Sequence, residues 1–129
     1  MREVLFLRHE ILTGRILKVC FDVSNELGCG FLESVYQKAL LISLAEDGLK
    51  AESQVQLKVM FRNQQVGDFY PDIIVEGTVI LELKAVKALS SEHSAQVLNY
   101  LKATGIEVGL LVNFGSPKLE FRRFENNFL

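Results

Sequence analysis

Apolar positions change their period along the chain, and each change predicts an element. From His9 to Leu27 the residues Ile16, Val19, Cys20, Val23 and Leu27 recur on one helical face, and Gly28 stops the run. The turn Gly28-Cys29-Gly30 is short, so a second helix is predicted at once, from about Phe31 to Asp47. Its stripe reads Leu32, Val35, Tyr36, Ala39, Leu40 and Ser43, and Gly48 ends it. The period then falls to two. Val55, Leu57, Val59 and Phe61 alternate in a strand predicted over Ala51 to Phe61. Asn63-Gln64 is the expected turn, followed by strands over Val66 to Val75 and Thr78 to Val86 with a tight turn at Glu76-Gly77. Such short connections predict an antiparallel meander. Ser90 or Ser91 can cap a third helix that runs to about Thr104 and is closed by Gly105. Glu107 to Asn113 reads as a buried strand, and Leu119 to Phe124, beyond the Gly115-Ser116-Pro117 break, as an edge strand. The fold class is α/β, in the order helix, helix, three strands, helix, strand, strand.

Three charges interrupt the apolar run from Tyr70 to Val86: Asp72, Glu82 and Lys84. Side chains alternate faces along a strand, so Glu82 and Lys84 share one face while Leu81 and Leu83 take the other. If the two strands pair, Asp72 lies beside Glu82 on that face. A charge held in an apolar sheet costs several kcal/mol unless compensated, and neighbouring carboxylates repel. A divalent cation resolves both difficulties. The structural alternative is a same-face ion pair of Glu82 with Lys84 on a half-exposed sheet, Asp72 closing the turn that Pro71 begins. The apolar flanks on both faces favour a site. Glu33 falls in the first turn of the second helix, where a carboxylate suits the helix dipole or could face the sheet. On the third helix His93, Gln96 and Tyr100 share a face.

Composition narrows the setting. At 129 residues the chain reads as one domain, and 49% apolar residues suit a globular fold. No apolar run is long enough to span a membrane, and the start MREVLFLRHE lacks the pattern of a signal peptide, so the cytoplasm is the default. Cys20 and Cys29 have no metal-type spacing, and Cys20 falls on the apolar face of the first helix. A net charge of −2 argues mildly against a protein that coats nucleic acid without specificity, although site carboxylates inflate the acidic count.

Pro71-Asp72 followed by Glu82-Leu83-Lys84 resembles the PD-(D/E)xK signature of the restriction-endonuclease-like nuclease superfamily. The segment from Gly30 to Tyr36, GFLESVY, is similar to the GxxExxY motif that names a small family within it, and Gln96 to Tyr100 resembles the QxxxY element of RecB-like nucleases. The predicted order matches the superfamily's αβββαβ core, a mixed sheet flanked by helices, with one extra N-terminal helix. Two positions depart from the family pattern: Cys29 stands where proline is usual, and Ser24 where many members carry histidine. The resemblance implies that Asp72 and Glu82 ligate Mg²⁺, with Mn²⁺ a possible substitute, and that the Leu83 carbonyl completes the protein's share. Glu33 would reach in directly or through water. Lys84 would orient the attacking water, and Gln96 and Tyr100 would hold a phosphate or buttress the site. The implied activity is phosphodiester hydrolysis in nucleic acid, DNA foremost. Because fold does not fix function, a catalytically silent nucleic-acid-binding or protein-interaction module is the alternative. A homodimer joined through Leu5, Leu7 and Ile11 is a further expectation.

Overall fold

The computed structural model describes residues 7–127. Two helices come first, α1 (Glu10–Leu27) and α2 (Glu33–Glu46). They are followed by β1 (Ala51–Glu52), β2 (Leu57–Phe61), β3 (Gln64–Phe69), β4 (Ile73–Val75) and β5 (Val79–Lys84), then α3 (Ser91–Thr104), β6 (Val108–Asn113) and β7 (Glu120–Glu125). The main sheet runs β1-β4-β5-β6-β7, parallel only between β5 and β6, which α3 connects. A parallel pair needs such a crossover because its strands start at the same end.

The sheet separates two unequal layers. Ile16, Val19, Cys20 and Val23 of α1 and Tyr36, Leu40 and Leu44 of α2 pack on Ile73, Val75, Leu81, Leu83, Leu110 and Val112. On the opposite face Val97 of α3 packs with Leu89 and Leu111. The helix comes close there because Gly109 has no side chain: a Cβ would lie 2.7 Å from Val97 Cγ1. Strand alternation therefore sorts β5. Leu81 and Leu83 face the two N-terminal helices, whereas Glu82, paired in register with Leu111, faces the side of α3.

The predicted meander is corrected. Ala51 to Phe61 is not one strand: β1 stays in the main sheet, the chain bends at Ser53-Gln54 with Gln54 at φ 59°, and β2 leaves it. Val66 to Val75 divides likewise around Tyr70-Pro71, since proline has no N–H to give to a ladder. Strands β2 and β3 form their own two-stranded hairpin. Its turn is Arg62-Asn63, one residue earlier than expected, with φ 48° and 64° as a type I′ turn requires. The strands that remain, β1, β4, β5 and β6, keep the αβββαβ order with α2 and α3, and the hairpin is an insertion between the first two.

Two smaller readings also shift. The buried stripe of α2 is Tyr36, Leu40 and Leu44, while Leu32, at the N-cap, is 77% exposed. Tyr36 sets this rotation: its ring stacks on Phe114 at 4.6 Å and its hydroxyl donates to the Gly28 carbonyl at 2.6 Å. Cys20 is buried as expected, which pushes its thiol up to about 12, and Cys29 is exposed. Of the residues considered for a dimer contact, Leu7 and Ile11 are exposed and Leu5 lies outside the described residues. No helix among the described residues is long and apolar enough to cross a membrane.

Candidate active site

Strands β4 and β5 create the site by their register. Ile73 pairs with Leu81, so Asp72, one step before β4, meets Glu82. Two backbone hydrogen bonds hold the meeting: the Asp72 N–H donates to Glu82 Oε1 at 3.1 Å, and the Leu83 N–H donates to Asp72 Oδ2 at 2.8 Å. Each carboxylate thus accepts from a backbone N–H of the other residue's segment. Pro71, itself buried, fixes the entry of the chain into this corner. A strand residue's N–H and C=O point to the same side, so the Leu83 carbonyl is also turned toward Asp72.

The pair is electrostatically uncomfortable without a cation. Glu82 is only 6% exposed. Burial and the adjacent Asp72 charge raise its carboxyl to about 8, against a smaller opposing pull from the Asp72 N–H and Lys84. Glu82 is therefore largely protonated at neutral pH when nothing positive sits beside it. Lys84, two residues on and half-buried, shares the face but makes no ion pair within 4.0 Å among the described residues. The structural alternative, a Glu82–Lys84 ion pair, is absent from that geometry.

The other predicted residues divide. Tyr100 on α3 is half-buried, and its phenol is raised first by burial and then by the charges of Glu82 and Asp72. Gln96, one turn earlier and exposed, opposes that rise. Tyr100 thus lies within electrostatic reach of the carboxylate pair. His93 does not join them: its Nδ1 accepts from the Ser90 N–H at 3.1 Å, closing the capping box that starts α3. Glu33 is exposed at the start of α2. One turn later on that helix face, Gln37 Nε2 donates to the Asp72 carbonyl at 2.8 Å and ties α2 to the site.

Gln37 and Phe69 escaped sequence reasoning. Gln37 stands four residues after Glu33, one place beyond the motif segment, and that helical spacing was the available signal. Phe69 stacks on Tyr100 with ring centroids 3.8 Å apart and planes 9° from parallel. No local pattern announces that contact, because it joins the hairpin to a helix some thirty residues on.

The donor set fits a hard divalent cation. It consists of carboxylate and carbonyl oxygens, the ligand type that Mg²⁺ demands. Among the described residues no group of three or more His, Cys, Asp and Glu side chains gathers at metal-binding distance, so Glu33 stands apart from the pair and a nitrogen- or sulfur-rich centre is not formed.

Residues 10–124 match the family model of the PD-(D/E)XK nuclease superfamily. The chain belongs to that superfamily. The chain carries a five-stranded mixed sheet flanked by helices, with Asp72 just before β4 and Glu82, Leu83 and Lys84 on β5. The crystal structure of SSO0001 shares this fold, with a TM-score of 0.60 and 16% sequence identity over 92% of this chain. The chain spans 60% of that protein's length. No curated protein matches the chain in sequence.

Proposed function

We propose that this PD-(D/E)XK protein is a metal-dependent nuclease of the GxxExxY type, hydrolysing phosphodiester bonds, with DNA the favoured substrate and Mg²⁺ the favoured ion. One observation carries the reading: two backbone hydrogen bonds hold Asp72 and a buried Glu82 side by side, and among the described residues no Lys, Arg or His nitrogen lies within 4.0 Å of either carboxylate. That arrangement is costly as scaffolding and useful as half of an oxygen cage. Asp72, Glu82 and the Leu83 carbonyl would hold Mg²⁺ or Mn²⁺, with Glu33 acting through water from the start of α2. The bound ion would supply Lewis acidity and a water of lowered pKa.

The chain's own residues then do the following. Asp72 and Glu82 fix the position of a phosphate oxygen by fixing what neutralises it. Glu82 gives up its proton when a positive charge arrives. Lys84, on the same strand face as Glu82, would orient the attacking water and stabilise charge on the phosphoryl oxygens. Gln96 and Tyr100 offer hydrogen bonds to the backbone phosphate at the α3 wall. The test is cleavage of labelled single- and double-stranded DNA and RNA with Mg²⁺, Mn²⁺ or chelator. Cleavage that needs the metal and is lost in Lys84→Ala is expected. Absence of cleavage on every substrate, with the metal bound, would turn the reading to a catalytically silent module.

A further inference from the structure

We propose that the β2–β3 hairpin is the arm on which the nucleic-acid strand lies as its phosphate enters the Asp72–Glu82 corner. The inference rests on the nuclease reading for its substrate class and on the hairpin's own geometry for its place. The hairpin is no part of the main sheet. Its inner residues Leu57, Val59 and Phe69 are half-buried, β2 packs on α3, and the Phe69 ring lies flat on Tyr100 at 3.8 Å. Tyr100 in turn feels the charges of Glu82 and Asp72. From Phe69 the chain reaches Asp72 in three residues, past a Tyr70 that is 57% exposed. Arm and site are therefore continuous.

The outward face has the chemistry of a nucleic-acid contact. Lys58 and Arg62 are its cations and Asp68 its one acid, in a chain of net charge −2. Asp68 Oδ2 accepts from Gln56 Nε2 at 2.6 Å, and no ion pair within 4.0 Å joins Asp68 to Lys58 opposite it. Arg62 lies 4.9 Å over the ring of Phe61, which is 57% exposed. An exposed aromatic under a guanidinium, with a second cation along the strand, suits stacked bases and phosphates. The type I′ turn keeps the tip short and rigid. A two-stranded ribbon of this kind also enters the major groove of a duplex.

The test measures binding apart from turnover. Fluorescence anisotropy of labelled single-stranded DNA, duplex DNA and RNA in Ca²⁺, over a series of NaCl concentrations, compares wild type with Lys58→Gln/Arg62→Gln and with Phe61→Ala. The double variant should melt like wild type, bind about tenfold or more weakly, and lose about two from the slope of log K against log salt. Phe61→Ala should weaken binding and leave that slope unchanged. Unchanged affinity and slope in the double variant would overturn the proposal, as would wild type that binds no probe. So would an exposed hairpin face that proves, by sedimentation, to be covered by a second copy of the chain. Wild type that binds through the hairpin yet cleaves nothing in Mg²⁺ would uphold the arm and reject hydrolysis. Cleavage with an unchanged KM in the double variant would do the reverse.

Discussion

Replacing Glu82 by glutamine should reverse the usual cost of altering a buried residue once the pH is high enough. Glu82 ionises near the ordinary 4.5 in the unfolded chain but at about 8 in the folded protein, first because it is buried and then because Asp72 is beside it. Between those values the folded state holds a proton that the unfolded state has released. Stability from this group is thus complete below the unfolded value, falls as pH rises, and is gone above the folded value. The slope is about 1.4 kcal/mol per pH unit. Raising the pH from about 6 to about 8.5 should therefore cost wild type roughly 2–3 kcal/mol through Glu82 alone. Glutamine mimics the protonated acid and does not titrate. Urea unfolding followed by far-UV circular dichroism, in chelator, should show the two proteins diverging across that range, with Glu82→Gln gaining on wild type as pH rises. Parallel stability profiles would refute the claim that Glu82 is held as a protonated acid with no cation paired to it.

Above about pH 8, where Glu82 is ionised, Asp72→Asn should leave the chelated protein as stable as wild type or more so, because it removes a repelling charge and its amide oxygen can still accept from the Leu83 N–H; a loss of roughly 3–5 kcal/mol in thermal melts would instead mark a structural pair. The same variant should abolish stabilisation by Mg²⁺, read as a melting temperature that no longer rises with the ion. Phe69→Leu removes the flat stack on Tyr100, so it should cost about 0.5–1.5 kcal/mol of stability beyond lost area. It should also lower kcat more than it changes KM, and that kinetic loss should vanish in a Tyr100→Leu background.

Much of the site was legible because two short-range rules fix it. Strand alternation places Glu82 and Lys84 together, and the tight turn at Glu76-Gly77, with φ 54° and 62°, sets the register that brings Asp72 opposite Glu82. The helices were legible from period alone, apart from the rotation of α2 that Tyr36 imposes through its distant partners Gly28 and Phe114. The hairpin was not legible. Alternation from Val55 to Phe61 reads the same whether a strand stays in a sheet or leaves it, and the bends that decide lie at Gln54 and Pro71. His93 shares a helix face with Gln96 and Tyr100 in the sequence, and its part in the fold is to cap: its Nδ1 accepts from the Ser90 N–H. Gln37 and Phe69 act across the fold, and their contacts depend on how α2 and the hairpin dock.

The most direct test of the central claim, that Asp72 and Glu82 together hold a divalent cation, is Mn²⁺ binding followed by electron paramagnetic resonance with proton release read in weak buffer at neutral pH. Glu82 is still largely protonated there when metal-free. Wild type should bind a single Mn²⁺ saturably, yield it to Mg²⁺, and release nearly one proton per ion, while Asp72→Asn and Glu82→Gln bind neither ion tightly. Equal Mn²⁺ binding by wild type and both variants, or none by wild type, would contradict it.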